Sequence, residues 1–165
     1  MDKKQNSSLL NDPILQKARK WCALQERCVL ETEQRLLNWG MAEDVLPEAI
    51  QKLTEEGFID ESRFARLFAS GKFHVLKWGR IKIEAELRQR KISRDCIRQG
   101  LNEIDEEEYK RTLSKLLNQK INSLNKSTPR EARQKALKYI LSKGYEADLA
   151  LNILKETDSN TIYTQ

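Results

Sequence analysis

The chain is poor in the residues that carry chemistry. It has one histidine, His74, and three cysteines, Cys22, Cys28 and Cys96, in 165 residues. Catalysis by a nucleophile needs a base, an orienting partner and a stabilising group that converge, and one histidine does not supply them. His74 therefore reads as a helix side chain at or near the surface. Cys22 and Cys28 are six positions apart, on different faces of a helix, and no second Cys or His pair completes a zinc site. Odd in number and irregular in spacing, the cysteines fit small residues packed in a reducing compartment better than a disulfide framework. No phosphate-binding Gly-x-x-x-x-Gly-Lys-Ser/Thr loop and no dinucleotide fingerprint is present. No apolar run is long enough to span a membrane, and the opening MDKKQNSSLLND lacks the apolar stretch of a signal peptide. The expectation is a cytoplasmic protein that is not an enzyme and takes no cofactor and no metal.

Sustained strand alternation is also missing, and what replaces it is a recurrence. Residues 36–50, 87–101 and 140–154 align without a gap, at offsets of 51 and 53. Leu36, Leu87 and Ile140 open the block, Met41, Ile92 and Tyr145 follow a turn, and Ile50, Leu101 and Leu154 close it. An acid recurs as Asp44, Asp95 and Asp148. Each block reads as the end of one helix, a tight turn and the start of the next. The fold class expected is all-α, a tandem array of three three-helix repeats, elongated and curved. The boundaries expected are a disordered tail over 1–11, repeats over 12–58, 59–104 and 105–156, and a disordered tail over 157–165.

Local signals place the helices. Asp12-Pro13 is a helix entry, with the acid as N-cap and proline at the first position. That helix buries Leu15, Ala18 and Cys22, and Trp21 beside them, and ends near Cys28. A second spans about Thr32 to Trp39 and stops at Gly40, and Asp44 caps a third that ends at Gly57. Asp60 opens a helix with Phe64, Leu67 and Phe68 at core spacing, loosened at Ser70-Gly71. Gly79 precedes a helix from Arg80 to about Lys91 whose apolar stripe, Ile83 and Leu87, is thin. Ser93 and Asp95 start the next. Asp105 opens a helix with Tyr109, Leu113, Leu116, Leu117 and Ile121 on one face. Thr128-Pro129-Arg130-Glu131 is a capping box, its helix running to Gly144. The last helix spans about Glu146 to Glu156. The acidic run at 105–108 sits at a helix start, where favourable interaction with the helix dipole explains it better than a metal site does.

Charge is uneven. Residues 1–61 hold 8 Lys and Arg against 12 acids, residues 62–100 hold 11 against 3, and residues 101–165 hold 11 against 10. The middle segment exceeds what solubility requires, which points to a polyanion or an acidic protein surface as partner. The candidate partner- or nucleic-acid-binding residues are Lys72, Lys77, Arg80, Lys82, Arg88, Arg90, Lys91, Arg94 and Arg98. The competing reading is a solvated helix face joined by exposed ion pairs, with Glu84 and Glu86 in support. Phe73, Trp78 and Trp39 interleave with the cations. Trp78 beside Gly79 and Arg80 either stacks on a base or partner or closes a helical unit.

Two motifs carry a family resemblance. Glu56-Gly57-Phe58-Ile59-Asp60-Glu61-Ser62-Arg63-Phe64-Ala65 and Gly79-Arg80-Ile81-Lys82-Ile83-Glu84-Ala85-Glu86-Leu87 resemble signature segments of the RecX regulators of bacterial recombination, and the likeness extends from about Ala18 to Lys155. The family has Lys-Gly at the turn where this chain has Arg90-Lys91, and lysine tolerates a positive φ poorly. Leu30-Glu31-Thr32-Glu33 stands where the family is more basic. The resemblance implies a monomeric modulator of RecA in recombination, DNA repair and the SOS response, inhibiting RecA from the groove of its filament on DNA. The expected partner is the RecA filament, with single- or double-stranded DNA as a further candidate and no membrane. A stand-alone helical DNA-binding protein and a scaffold for another acidic partner are the alternatives.

Overall fold

The computed structural model describes residues 12–162, with side chains through Glu156. The described residues form nine α-helices and no strand: α1 Pro13–Leu24, α2 Val29–Asn38, α3 Leu46–Glu55, α4 Glu61–Leu76, α5 Arg80–Gln89, α6 Arg94–Asn102, α7 Glu106–Asn122, α8 Pro129–Ser142 and α9 Ala147–Ile162. The chain is all-α, as its periodicity predicts. The N-terminal tail expected over 1–11 lies outside the described residues, as do residues 163–165.

Several helix starts follow the local rule that a short oxygen-bearing side chain satisfies amides the first turn leaves open. Asp12 accepts from the amides of Ile14 and Leu15 at 2.7 and 3.2 Å. Asp60 accepts from Arg63 at 2.9 Å and Asp105 from Glu108 at 2.8 Å. Thr128 and Glu131 form the reciprocal capping box, at 3.0 and 3.3 Å. The stops hold too, with Gly40, Gly57 and Gly144 at φ of 92°, 78° and 88°. Lys91 takes φ 59° in the turn where a glycine was absent, so a lysine makes the left-handed bend at a conformational cost.

Several local expectations are corrected. α1 ends at Leu24 and α2 begins at Val29, because Thr32 is an interior residue whose hydroxyl donates to the Cys28 carbonyl at 2.9 Å. Asp44 caps no helix with its side chain. It lies in a 3-10 turn, Glu43–Val45, that leads directly into α3. α4 continues through Ser70-Gly71 without a break. Its buried residues are Phe64, Ala65, Ala69 and Phe73, whereas Leu67 is 56% exposed and Phe68 half-buried. Small alanines at i, i+4 spacing with Phe73 define the inward face, and a count of large apolar residues misplaces it. α9 extends to Ile162, past the tail boundary expected at 157. Once nucleated, a helix propagates at little cost until a breaker intervenes, and residues 157–162 contain neither Gly nor Pro.

The chain divides into two compact units. The first comprises Met1–Leu67 with Leu87–Gln99, the second Phe68–Glu86 with Gly100–Gln165. The division falls inside α4, α5 and α6, so the middle group of helices contributes to both. The core of the first unit joins Leu15, Ala18, Cys22, Leu36, Met41, Ala49, Leu53 and Ile59, all buried. The core of the second is built on aromatic rings. The Phe73 and Tyr109 centroids lie 5.6 Å apart, those of Tyr109 and Tyr145 5.0 Å, and all three residues are buried.

Two glycines join the turns of the second unit. The Gly79 amide donates to the Lys143 carbonyl at 2.8 Å and the Ile81 amide to the Gly144 carbonyl at 3.0 Å. A Cβ on Gly79 would overlap the backbone of Gly144 and Tyr145, and one on Gly144 would overlap Lys82. The turn before α5 therefore rests on the turn after α8 at backbone distance, which only glycine permits.

Candidate partner-binding surfaces

The unit division separates the nine candidate cations. Lys72, Lys77, Arg80 and Lys82 belong to the second unit, and Arg88, Arg90, Lys91, Arg94 and Arg98 to the first. The charge excess of the middle segment is shared out with them. The spans of the first unit carry 15 Lys and Arg against 13 acids, and those of the second 15 against 12. No single unit inherits the imbalance visible in the linear sequence.

In the second unit Arg80 is a structural cation. Its guanidinium donates to the Glu106 carboxylate at 2.8 Å and the Ile104 carbonyl at 3.4 Å, and lies over the Tyr109 ring, 4.1 Å from its centroid. The Arg80 amide donates to the Tyr109 hydroxyl at 3.0 Å, and that hydroxyl donates to Glu146 at 2.7 Å. Burial, with the Glu146 carboxylate adding to it, holds the Tyr109 hydroxyl well above the ordinary phenol range, so it stays protonated as a donor. Lys72 and Lys82 instead flank Trp78, their ammonium groups 5.0 and 4.4 Å from its ring centroid. Trp78 is half-buried and serves as a platform for two cations. Lys77, in the turn after α4, takes φ 55°. His74 lies on the exposed side of α4, 3.3 Å from Glu108.

In the first unit Arg90 reaches Glu31 at 3.4 Å, so one of the two acids that make the Leu30–Glu33 stretch less basic than expected has a partner. Arg98 pairs with Asp95 on its own helix at 2.8 Å, an exposed contact of little energetic weight. Arg88, Lys91 and Arg94 are exposed. Phe73, read as interleaving with the cations, is wholly buried.

The sequence reading missed a second cation–aromatic group in the first unit. Trp21 and Trp39 meet edge to face, their centroids 6.1 Å apart at 81°. Arg27 lies 4.1 Å and Arg35 5.2 Å from the Trp21 centroid, and Lys17 lies 4.4 Å and Arg35 5.6 Å from that of Trp39. A signal was available for part of it, because Arg35 and Trp39 stand four residues apart, as do Phe68 and Lys72, and Trp78 and Lys82. What the spacing did not give is that α1 and α2 bring the two tryptophans together.

The remaining titratable groups point to structure. Burial pushes the Cys22 and Cys28 thiols up, which leaves them unreactive. Glu56 is held low by the Arg19 guanidinium, which binds it through two nitrogens at 2.6 and 2.8 Å. Among the described residues no group of three or more His, Cys, Asp and Glu is arranged to hold a metal ion, and no helix is long and apolar enough to cross a membrane.

Residues 60–101 match the family description "RecX, second three-helix domain". A regulatory protein RecX from Clostridium botulinum (strain Alaska E43 / Type E3) is 30% identical over 169 residues, covering 99% of this chain and 79% of that protein. One from Lactobacillus johnsonii is 30% identical over 144 residues, covering 87% of this chain and 53% of its own, so this chain spans about half the length of some relatives it matches. In fold the chain is similar to the crystal structure of RecX from Lactobacillus salivarius, with a TM-score of 0.79 at 21% identity over 88% of this chain and 94% of the other. The near-complete match to the Clostridium protein, in a chain whose caps, turns and helices carry the expected pattern, places it in the RecX family of regulatory proteins.

Proposed function

We propose that this protein modulates RecA, hindering the recombinase from the groove of its filament on DNA, without chemistry of its own. The observation that carries the reading is the match over nearly the whole chain to a protein named as a RecX regulatory protein. It is supported by the physical character of the surface. Cations are distributed over both units, and repeated helical units suit a long, shallow contact better than a catalytic cleft. Arg88, Lys91 and Arg94 are exposed and are the residues of the basic set taken to meet an acidic surface.

The test is RecA ATP hydrolysis on single-stranded DNA, with and without this protein. The wild type is expected to inhibit it. Reversing Arg88, Lys91 and Arg94 together to glutamate is expected to weaken inhibition at least about tenfold while leaving the melting temperature nearly unchanged, because exposed substitutions usually shift stability by less than about 0.5 kcal/mol each. Reversing Lys135 and Lys138 should weaken it less. Raising salt should weaken it further, as counterions screen such contacts. No effect of the wild type on RecA at any salt would sink the reading. A triple variant that inhibits as well as wild type would move the contact elsewhere on the surface.

A further inference from the structure

We propose that the turn between α4 and α5 docks the protein on an anionic lipid bilayer, with Val75, Leu76 and Ile81 entering the interfacial layer and Lys72, Lys77 and Lys82 meeting the headgroups. This goes beyond modulation of RecA and does not rest on it.

The turn lies wholly within the second unit. Val75 and Leu76 end α4 with 76% and 40% of their surface exposed, and Ile81, in the first turn of α5, is 54% exposed. Exposed apolar residues met singly are ordinary, but this stretch groups three of them around a half-buried tryptophan, Trp78. The Trp78 ring centroid lies 5.0 Å from the Lys72 ammonium on α4 and 4.4 Å from that of Lys82 on α5, which ties both helices to the turn. Lys143, from the turn after α8, donates to the Leu76 carbonyl at 3.1 Å and adds a further ammonium group. The sequence holds no acid between Glu61 and Glu84. Glu108 and Glu106, which the fold brings to this stretch, are engaged by His74 and Arg80. Glu84, one helical turn beyond Ile81, bounds the patch.

The composition of the patch selects a bilayer over two other partners. A phosphate backbone offers nothing to bare aliphatic side chains, whereas the bilayer interface takes up aliphatic groups and tryptophan together. Protein interfaces favour arginine and are depleted in lysine, yet the cations around this turn are mostly lysines. The arginine among them, Arg80, is bound to Glu106 and the Ile104 carbonyl. Lysine suits a headgroup layer because its aliphatic stem stays with apolar neighbours while its ammonium reaches outward, and Lys72, Lys77 and Lys82 are each half-buried. Apolar tip and lysines supply one hydrophobic and one electrostatic signal, the pair that peripheral attachment to an anionic leaflet requires. The expectation of no membrane contact came from the lack of long apolar runs, which bears on spanning a bilayer and not on docking at its surface.

The test mixes the full chain, without RecA or DNA, with large unilamellar vesicles of phosphatidylglycerol and phosphatidylcholine in equal parts at about 0.1 M salt, and measures co-sedimentation. Wild type is expected to bind these vesicles, and to bind pure phosphatidylcholine at least about tenfold more weakly. Val75→Ser with Ile81→Ser should lower affinity about tenfold with an unchanged melt, because both side chains are exposed. Lys72→Gln, Lys77→Gln and Lys82→Gln together should lower it at least about tenfold. Arg111→Gln, Lys115→Gln and Lys126→Gln remove the same charge from exposed positions elsewhere in the unit and should lower it less than about threefold. Failure to bind the anionic vesicles, equal binding to neutral ones, or equal losses in the two triple variants each overturns the proposal. So does binding that depends on the three lysines but not on Val75 and Ile81, which would make the turn a contact for polyanions such as nucleic acid. Because RecA is absent, none of these outcomes bears on the RecA reading.

Discussion

Two arginines beside aromatic rings, Arg80 and Arg35, have opposite characters. Arg80 lies over Tyr109 and is fixed by Glu106, the Ile104 carbonyl and the surrounding hydroxyl network of the second unit. Arg35 lies between Trp21 and Trp39 of the first unit, exposed and without an ion pair among the described residues. A cation on a ring is thus not a functional sign in itself. What distinguishes the two is whether the remaining donors are satisfied within the chain, because a satisfied guanidinium holds structure while an unsatisfied one is available to a partner.

The comparison breaks most visibly at Tyr109, the ring under Arg80. It is fully buried, touches Phe73 and Tyr145, and links Arg80 to Glu146. Tyr109→Ala is expected to cost roughly 3–5 kcal/mol, the range for truncating a buried aromatic side chain, and a thermal melt would register it as loss of the second unit. An unchanged melt would mean that the Arg80 network holds nothing together.

A smaller loss is expected at Gly79. An added methyl would meet the backbone of Gly144 and Tyr145, which cannot yield as a side chain can. Gly79→Ala should cost roughly 1–3 kcal/mol, as overpacking does, measured by urea denaturation. A more stable variant would show that the two turns separate readily.

The smallest effects sharpen the contrast directly. Arg80→Ala should destabilise by about 1–2 kcal/mol, since its hydrogen bonds are charge-assisted but its side chain is partly exposed at 24%. Arg35→Ala should change stability by less than about 0.5 kcal/mol. Equal losses in paired melts would erase the distinction between them.

Much of the architecture was legible because its causes are local. Asp12, Asp60, Asp105 and Thr128 bond to amides two or three residues ahead, and Gly40, Gly57 and Gly144 supply the left-handed turn on the spot. The motifs around Gly57 and Gly79 pointed to the RecX family for the same reason, being contiguous. The face of α4 was misread because Ala65 and Ala69 give a weak hydrophobic signal while exposed Leu67 gives a strong one.

The sequence alone settled the helix starts at Asp12, Asp60, Asp105 and Thr128, the glycine stops, the recurrence of helix–turn–helix blocks and the family, all of which depend on residues a few positions apart. The tertiary structure decided which cations are free to act. Arg80 finds Glu106 across 26 positions, Trp21 finds Trp39 across 18, and the basic middle segment is divided between two units. Linear charge is a sum over neighbours in the chain, whereas availability for binding depends on which donors the fold has already satisfied.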